Sequence, residues 1–197
     1  MSPGPETTTA LIVVDVQNDF CEGGSMGVEG GAAVARSITD TAGLDRAGGT
    51  YSLVVATKDW HEDPGEHWAD PDVGPDFVNT WPVHCAADTL GAEFHGNLDI
   101  AVDEIFLKGR TTASYTGFDG GAAADESVRL GPWLIERGVS HVDIVGIATD
   151  HCVRATALDA KANGFSTRVL LDHCAGVAPD TTAAALEEMT AAGIELV

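Results

Sequence analysis

The feature of this sequence that most constrains its fold is an alternation of short apolar runs with alanine-rich stretches. The apolar runs are continuous and rich in β-branched residues, which is typical of strands buried on both faces of a sheet. They read TALIVVDV, YSLVVATKD, DEIFLKG, HVDIVGIA, STRVLLD and the terminal IELV. Between them the pattern predicts helices over residues 30–47, 122–137, 152–163 and 179–192.

This rhythm predicts an α/β fold, a doubly wound, Rossmann-like sheet of about six mostly parallel strands flanked by helices on both faces. The 197 residues are expected to form one domain over 1–197. The rhythm is interrupted at about 58–102 by a long stretch rich in Gly, Pro, Asp, Trp and His. Loops of this length inside a compact domain usually have a function, and the ligand site of such a sheet lies at the carboxyl ends of its strands.

Charge and cysteine content narrow the class of partner. The formal net charge of −21 opposes binding to nucleic acid or to an anionic membrane surface. Four cysteines without a CxxC pair do not form a disulfide framework in a chain of this length. The N-terminal MSPGPETTT lacks the basic region of a signal peptide. We therefore expect a cytoplasmic protein, a monomer or a homo-oligomer, that binds neither nucleic acid nor a membrane.

The tripeptide DHC occurs twice, and the surroundings of the two copies differ. Cys152 follows the strand HVDIVGIA directly and opens the next helix, where free amides and the helix dipole lower a thiol pKa and can hold an oxyanion. Cys174 is separated from its helix by AGVAPD and is predicted to be a loop thiol. A lone Cys is more often a small buried hydrophobe, but this position favours Cys152 as a nucleophile. His151 leaves a different face of the turn and is interpreted as a supporting or packed residue.

Two charged residues end apolar strands, Asp15 in LIVVDVQ and Lys108 in EIFLKGR. A charge at this place is often only a solvated strand end. The chain has three lysines, however, and one of them closes a buried segment. Burial beside a partner would tune both groups for proton transfer, which makes Asp15 and Lys108 candidates to act with Cys152.

The long loop carries a second group of candidate residues, in KDWHEDPGEHW and TWPVHC. Asp59 and His61 are two apart and face the same way in extended backbone. His67 returns after a DPG turn, and His84 follows a Trp-Pro corner. Three imidazoles and one carboxylate form a mixed N/O site that suits one divalent ion of zinc, iron or manganese.

Five motifs, in this order and spread over most of the chain, carry a resemblance: DVQNDFCEGGS, KDWHEDPGEHW, TWPVHC, KGRTTASYTGF and GIATDHCV. Together they resemble the motifs of the nicotinamidase/pyrazinamidase branch of the isochorismatase-like cysteine hydrolases. The resemblance implies a catalytic triad of Asp15, Lys108 and Cys152. It also implies a metal bound by Asp59, His61, His67 and His84.

The same resemblance implies a substrate pocket, with a ring held near Phe20 and Trp81 and lined by Tyr115. It further implies a non-proline cis peptide between Ile147 and Ala148, which would aim the amides of Ala148 and Cys152 into an oxyanion hole. The implied reaction is hydrolysis of nicotinamide, and of pyrazinamide, through a cysteine thioester. The metal would orient the pyridine ring, and the product would enter pyridine-nucleotide salvage.

Two alternatives stay open at this point. A ureidoacrylate or N-carbamoyl amidohydrolase would use the same triad without needing the metal loop. A metal-binding module without turnover would leave Cys152 structural. The metal content of the purified protein would distinguish a nicotinamidase from the first alternative. Preferential labelling of Cys152 over the other three thiols would distinguish an enzyme from the second.

Overall fold

Residues 8–47 and 49–197 are described here from a computed structural model of the chain. Residues 1–7, in which the sequence predicts no targeting signal, and Gly48 lie outside the described residues. In the part that is described, a seven-stranded sheet has the order β4-β3-β2-β1-β5-β6-β7. Its strands are β1 Thr8–Val14, β2 Leu53–Asp59, β3 Glu104–Lys108, β4 Gly121–Ala122, β5 Val139–Ile147, β6 Ser166–Ala175 and β7 Glu195–Leu196.

The strands are parallel except β4, which runs antiparallel to β3 at one edge. The sheet order reverses at β1, which pairs with both β2 and β5, and this reversal is the switch point at which such sheets bind ligands. The predicted α/β fold is confirmed. The described residues form seven strands rather than about six, because the two-residue β4 occupies Gly121 and the first residue of a predicted helix, Ala122.

Helices cover both faces of the sheet, and their bounds are α1 Gly31–Ala47, α2 Leu130–Glu136, α3 Arg154–Ala162 and α4 Pro179–Ala191. One apolar cluster joins α1 and the long loop to the sheet. The other joins α2, α3 and α4 to the opposite face. Burial on both faces explains why the strands read as continuous apolar runs. Among the described residues, no helix combines the length and the apolar character that crossing a membrane requires.

Two local predictions are wrong. The helix predicted over 122–137 begins only at Leu130, because Ala122 pairs with β3 and the Asp125 carboxylate closes a turn by accepting from the Ser127 amide at 3.0 Å. Cys174 is not a loop thiol. Strand β6 continues past a register irregularity to Ala175, and Cys174 pairs with Gly146 of β5.

The carboxyl edge of the sheet gathers the candidate residues. Asp15 directly follows β1, and Asp59 and Lys108 are paired residues at the ends of β2 and β3. Gly146 near the end of β5 has φ 123°, and a Cβ there would lie 2.1 Å from the carbonyl oxygen of Val14. Glycine therefore lets β5 approach β1 closely, just before the chain enters the turn that carries Cys152.

Candidate active site

The centre of the site is the ammonium of Lys108, whose side chain is fully buried between two carboxylates. Its Nζ lies 2.9 Å from Asp15 Oδ2 and donates a short hydrogen bond to Asp59 Oδ1. A third bond goes to the carbonyl of Ser114, at 3.2 Å. Burial opposes the charge on Lys108, but the two carboxylates outweigh it and hold the pKa of the ammonium well above its usual range. Lys108 is therefore a fixed cation.

Asp15 stands in a left-handed conformation, with φ 50°, at the end of β1. Its Oδ1 accepts a 2.6 Å hydrogen bond from the hydroxyl of Thr57 on the neighbouring strand. Burial raises the pKa of Asp15, and the charge of Lys108 opposes that rise. A carboxyl group whose pKa is raised is a better proton acceptor than an exposed one, which suits a general base.

Cys152 lies in a π-helical turn, Thr149–Val153, between β5 and α3. Its Sγ is 3.6 Å from Lys108 Nζ, and its sulfur and the carboxylates of Asp15 and Asp59 lie within 4.8 Å of one another. Burial raises the pKa of the thiol well above its usual range, and Lys108 offsets only part of that rise. The expectation of a lowered thiol pKa is therefore wrong for the free protein. A thiol with a raised pKa needs a neighbouring base to remove its proton.

A buried cluster of three imidazoles, His61, His67 and His84, lies beside this ion pair, and ligand atoms of all three fall within 4.8 Å of one another. Nε2 of His61 and Nε2 of His84 are 3.3 Å apart. The Nδ1 atoms of these two rings point away, to the carbonyls of Gly109 and Pro82. A carbonyl oxygen accepts a hydrogen bond from a protonated Nδ1, which leaves a lone pair on each Nε2, and the two Nε2 lone pairs converge.

This donor set fits a divalent cation. Burial lowers the pKa of His67 to about 4 and also lowers that of His84, so both rings are neutral, the form that binds metal. His67 Nδ1 is buried and has no hydrogen-bond partner among the residues that the structure describes. Asp59 extends the cluster, since its Oδ2 lies 3.7 Å from His61 Nε2 while Oδ1 faces Lys108. The structure thus brings the four predicted ligands together.

A cavity of about 450 Å³ opens onto both groups. Its walls include Cys152 and two of the three clustered imidazoles, those of His67 and His84. Aromatic side chains form much of the remaining wall, namely Phe20, Phe77, Trp81, Tyr115 and His151. Trp81 Nε1 donates to the hydroxyl of Tyr115 at 3.1 Å, so these two rings hold each other in place. A flat aromatic molecule matches this lining.

The peptide bond between Ile147 and Ala148 is cis. Both Ala148 and Cys152 line the cavity. The two residues whose amides were predicted to hold an oxyanion therefore lie on the same cavity wall.

Comparison with known proteins identifies the family. A model described as the isochorismatase domain matches residues 9–197. The chain belongs to the isochorismatase family. Its sequence is 56% identical over 189 residues to the nicotinamidase/pyrazinamidase of Mycobacterium tuberculosis, covering 95% of this chain and 97% of the relative. The resemblance drawn from the motifs is confirmed.

Solved structures of the isochorismatase family agree with this assignment. The pyrazinamidase of Pyrococcus horikoshii in complex with zinc has a TM-score of 0.79 and 37% identity, covering 96% of this chain and 98% of that one. PnC1 from L. infantum in complex with nicotinate has a TM-score of 0.77 and 32% identity, covering 97% and 92%. The overall fold of this chain is thus the one seen in these isochorismatase-family structures.

The sequence did not predict the role of several residues in the site. His151 was interpreted as a supporting residue, yet its ring lines the cavity and lies 5.6 Å from the ring of Trp81. Thr57 and Gln17 were not singled out, although Thr57 bonds Asp15 and Gln17 bonds the backbone of Asp59. The sequence signal for Gln17 was its place inside DVQNDF, two residues after Asp15.

Asp150 anchors the turn that carries Cys152. Its buried carboxylate accepts hydrogen bonds from the amides of Val177 and Ala178, at 2.9 and 3.3 Å, and a short one from the hydroxyl of Thr181. These bonds join the turn to the start of α4. Burial raises the pKa of Asp150, but the His151 ring, whose Nδ1 lies 3.3 Å from Oδ1, and the hydrogen bonds from Thr181 and Val177 outweigh burial and hold the pKa below its usual range.

Asp150→Asn is expected to lower the free energy of unfolding by about 2 kcal/mol at neutral pH, because an amide nitrogen replaces an acceptor oxygen. A carboxylate with a depressed pKa stabilises the fold above its unfolded pKa, so the difference from the parent should shrink progressively as the pH falls below about 4. Urea unfolding at several pH values measures this. Asp180→Asn, in the exposed first turn of α4, is the control. Equal losses in both variants, or a gap that does not change with pH, would contradict this role.

Proposed function

We propose that this chain is a nicotinamidase, which hydrolyses nicotinamide to nicotinate and ammonia and also accepts pyrazinamide. The observation that carries the proposal is the shared cavity. A buried thiol beside a carboxylate and an ammonium opens onto it, and so do His67 and His84 of the buried imidazole cluster. The names of the relatives in the isochorismatase family point to the same reaction.

In the proposed first half-reaction, Asp15 takes the thiol proton and Cys152 Sγ attacks the carboxamide carbon. A C–S bond forms, and the carbonyl oxygen becomes an oxyanion near the amides of Ala148 and Cys152. Asp15 then returns the proton to the nitrogen, the C–N bond breaks, and ammonia leaves. The acyl group is held as a thioester.

In the second half-reaction, Asp15 takes a proton from water, and the hydroxide attacks the thioester carbon. The C–S bond breaks, the sulfur regains a proton from Asp15, and nicotinic acid leaves and gives its carboxyl proton to solvent to become nicotinate. Lys108 does not exchange a proton in this scheme, because its pKa is held well above its usual range. It stabilises the Asp15 carboxylate and the Cys152 thiolate, which lie at 2.9 and 3.6 Å from its Nζ.

The remaining residues of the site orient the substrate. Phe20, Trp81 and Tyr115 would hold the ring so that the carboxamide faces Cys152. Asp59, His61, His67 and His84 would bind one divalent ion. When bound, this ion supplies a Lewis-acid contact for the pyridine nitrogen, and positioning of this kind can contribute several kcal/mol to lowering the barrier. Zinc, iron and manganese all accept such ligands.

The cellular setting proposed for this activity is the cytoplasm, within pyridine-nucleotide salvage. All four cysteines are free thiols, as a reducing compartment would keep them. The proposed partner is the small-molecule substrate.

Cys152→Ala is expected to abolish ammonia release from nicotinamide, because no other group in the site can form the thioester. The reduction should be at least about 10⁴-fold, as for other nucleophile deletions. Cys174→Ala is the matched control, since it is the Cys of the second DHC and lies in β6. Zinc binding should be unchanged in both variants. Turnover by Cys152→Ala, or an equal loss in Cys174→Ala, would contradict the assignment of the nucleophile.

His61→Ala is expected to lower the metal content of the purified protein and to raise KM for nicotinamide, because one of the converging Nε2 atoms is removed. Benzamide should be a poor substrate of the parent protein for a related reason, since it has the ring and the carboxamide but no ring nitrogen. His141→Ala, on the partly exposed start of β5, is the control. Metal-free protein at full activity, or benzamide cleaved as well as nicotinamide, would favour a metal-independent amidohydrolase.

A further inference from the structure

The turn after β1, residues 15–20, carries Asp15 and Phe20. Other side chains of this turn contact the segments that carry the metal ligands. We propose that Gln17 is a positioning residue that fixes Asp59, and that Asp19 of the same turn fixes the segment that carries His84. The inference rests on the metal site of the proposed function and adds the residues that hold two of its ligands in place.

The side-chain amide of Gln17 is completely buried, and it hydrogen-bonds both the carbonyl and the amide of Asp59. Its Nε2 donates to the carbonyl of Asp59 at 2.8 Å, and its Oε1 accepts from the amide of Asp59 at 2.9 Å. Nε2 also donates to the carbonyl of Ala92 in the long loop, at 2.8 Å. A shift of Asp59 along the strand would break at least one of these bonds, in a place where water cannot replace them.

The backbone of Gln17 also contacts Asp15, the residue that carries the other carboxylate of the site. Its amide donates to the carbonyl of Asp15 at 2.8 Å, across the left-handed turn in which Asp15 has φ 50°. One residue therefore connects Asp15 and Asp59, the two carboxylates that share Lys108. The separation of these carboxylates depends on where Gln17 sits.

Asp19 acts on the segment that carries His84. Its Oδ2 accepts from the amide of Cys85 at 2.8 Å, next to His84, where Cys85 has the strained φ of 46°. The carbonyl of Cys85 in turn accepts from the amide of His61 at 3.0 Å. The Asp19 carboxylate thus stabilises Cys85, which follows His84 in the chain and is hydrogen-bonded to the backbone of His61.

Asn18 provides a control that distinguishes positioning of the metal ligands from general stabilisation of the long loop. It stands between Gln17 and Asp19, and its Nδ2 donates to the carbonyls of Leu90 and Glu93, at 2.8 and 3.2 Å. These bonds tie the turn to the same loop at a place that carries no ligand. Loss of Asn18 should therefore loosen the loop without moving Asp59.

The test is zinc affinity of the full-length apo protein, measured by competition with a chromophoric chelator, together with urea unfolding and the separate kcat and KM for nicotinamide. Gln17→Met keeps the length of the side chain and removes its three hydrogen bonds. We expect zinc to bind about 10- to 100-fold more weakly, as for other residues that orient ligands, with a higher KM. Asn18→Ala should lose stability and keep the zinc affinity of the parent.

Asp19→Asn, which keeps the shape of the side chain, should weaken zinc binding in the same direction and decides the question if Gln17→Met does not fold. Folded Gln17→Met and Asp19→Asn proteins with the parent's zinc affinity would overturn the inference and leave the proposed function intact. Equal weakening in Asn18→Ala would also overturn it, because bracing of the loop would then explain the effect. A parent protein that does not bind zinc would overturn the inference and the proposed metal site together.

Discussion

The buried ammonium of Lys108 is the interaction on which the rest of the site depends. It contacts Asp15, Asp59 and Cys152, which come from three different parts of the chain. Two carboxylates buried this close together would repel each other and take up protons if the cation were absent. Removal of one partner from a buried ion pair typically costs about 3–5 kcal/mol, because the remaining charge has no solvent. The cation therefore maintains the ionised form of the site as well as its geometry.

The pairing of β2 with β3 explains why one lysine can serve both halves of the site. Asp59 and Lys108 are register partners at the carboxyl ends of their strands. Asp59 faces Lys108 with one carboxylate oxygen and the imidazole cluster with the other. The ion-pair group around Lys108 and the proposed metal site thus share a carboxylate. A change in either half is expected to be felt in the other, which is why the residues that hold Asp59 matter for function.

Much of this arrangement could be predicted from the positions of polar residues at the ends of apolar strands. Asp15 and Lys108 were identified because each closes an apolar run, and parallel strands bring such residues to one edge. The three imidazoles were identified because they are concentrated in one long loop. Local patterns were less informative where pairing decides the structure: Ala122 joins a strand and Cys174 continues one, since in each case a neighbouring strand offers hydrogen bonds that the sequence alone does not show.

The electrostatics of the thiol and the supporting hydrogen bonds could not be read from the sequence. A strand-to-helix turn predicts a lowered thiol pKa, but complete burial next to two carboxylates raises it. The clamp formed by Gln17 and the anchor formed by Asp150 depend on partners 42 or 27 positions away. Such contacts are set by tertiary packing, and a polar residue inside a motif is the only trace that they leave in the chain.

The most direct test of this account is a double-mutant cycle on kcat/KM for nicotinamide with Asp15→Asn and Lys108→Met. If Lys108 acts by keeping Asp15 and Cys152 competent for proton transfer, each single variant should lose at least about 10³-fold, and the double variant should be little worse than the weaker single one. Circular dichroism and urea unfolding confirm that the variants are folded. Losses that multiply in the double variant would show that the two residues act independently and would contradict the shared ion pair as the basis of the site.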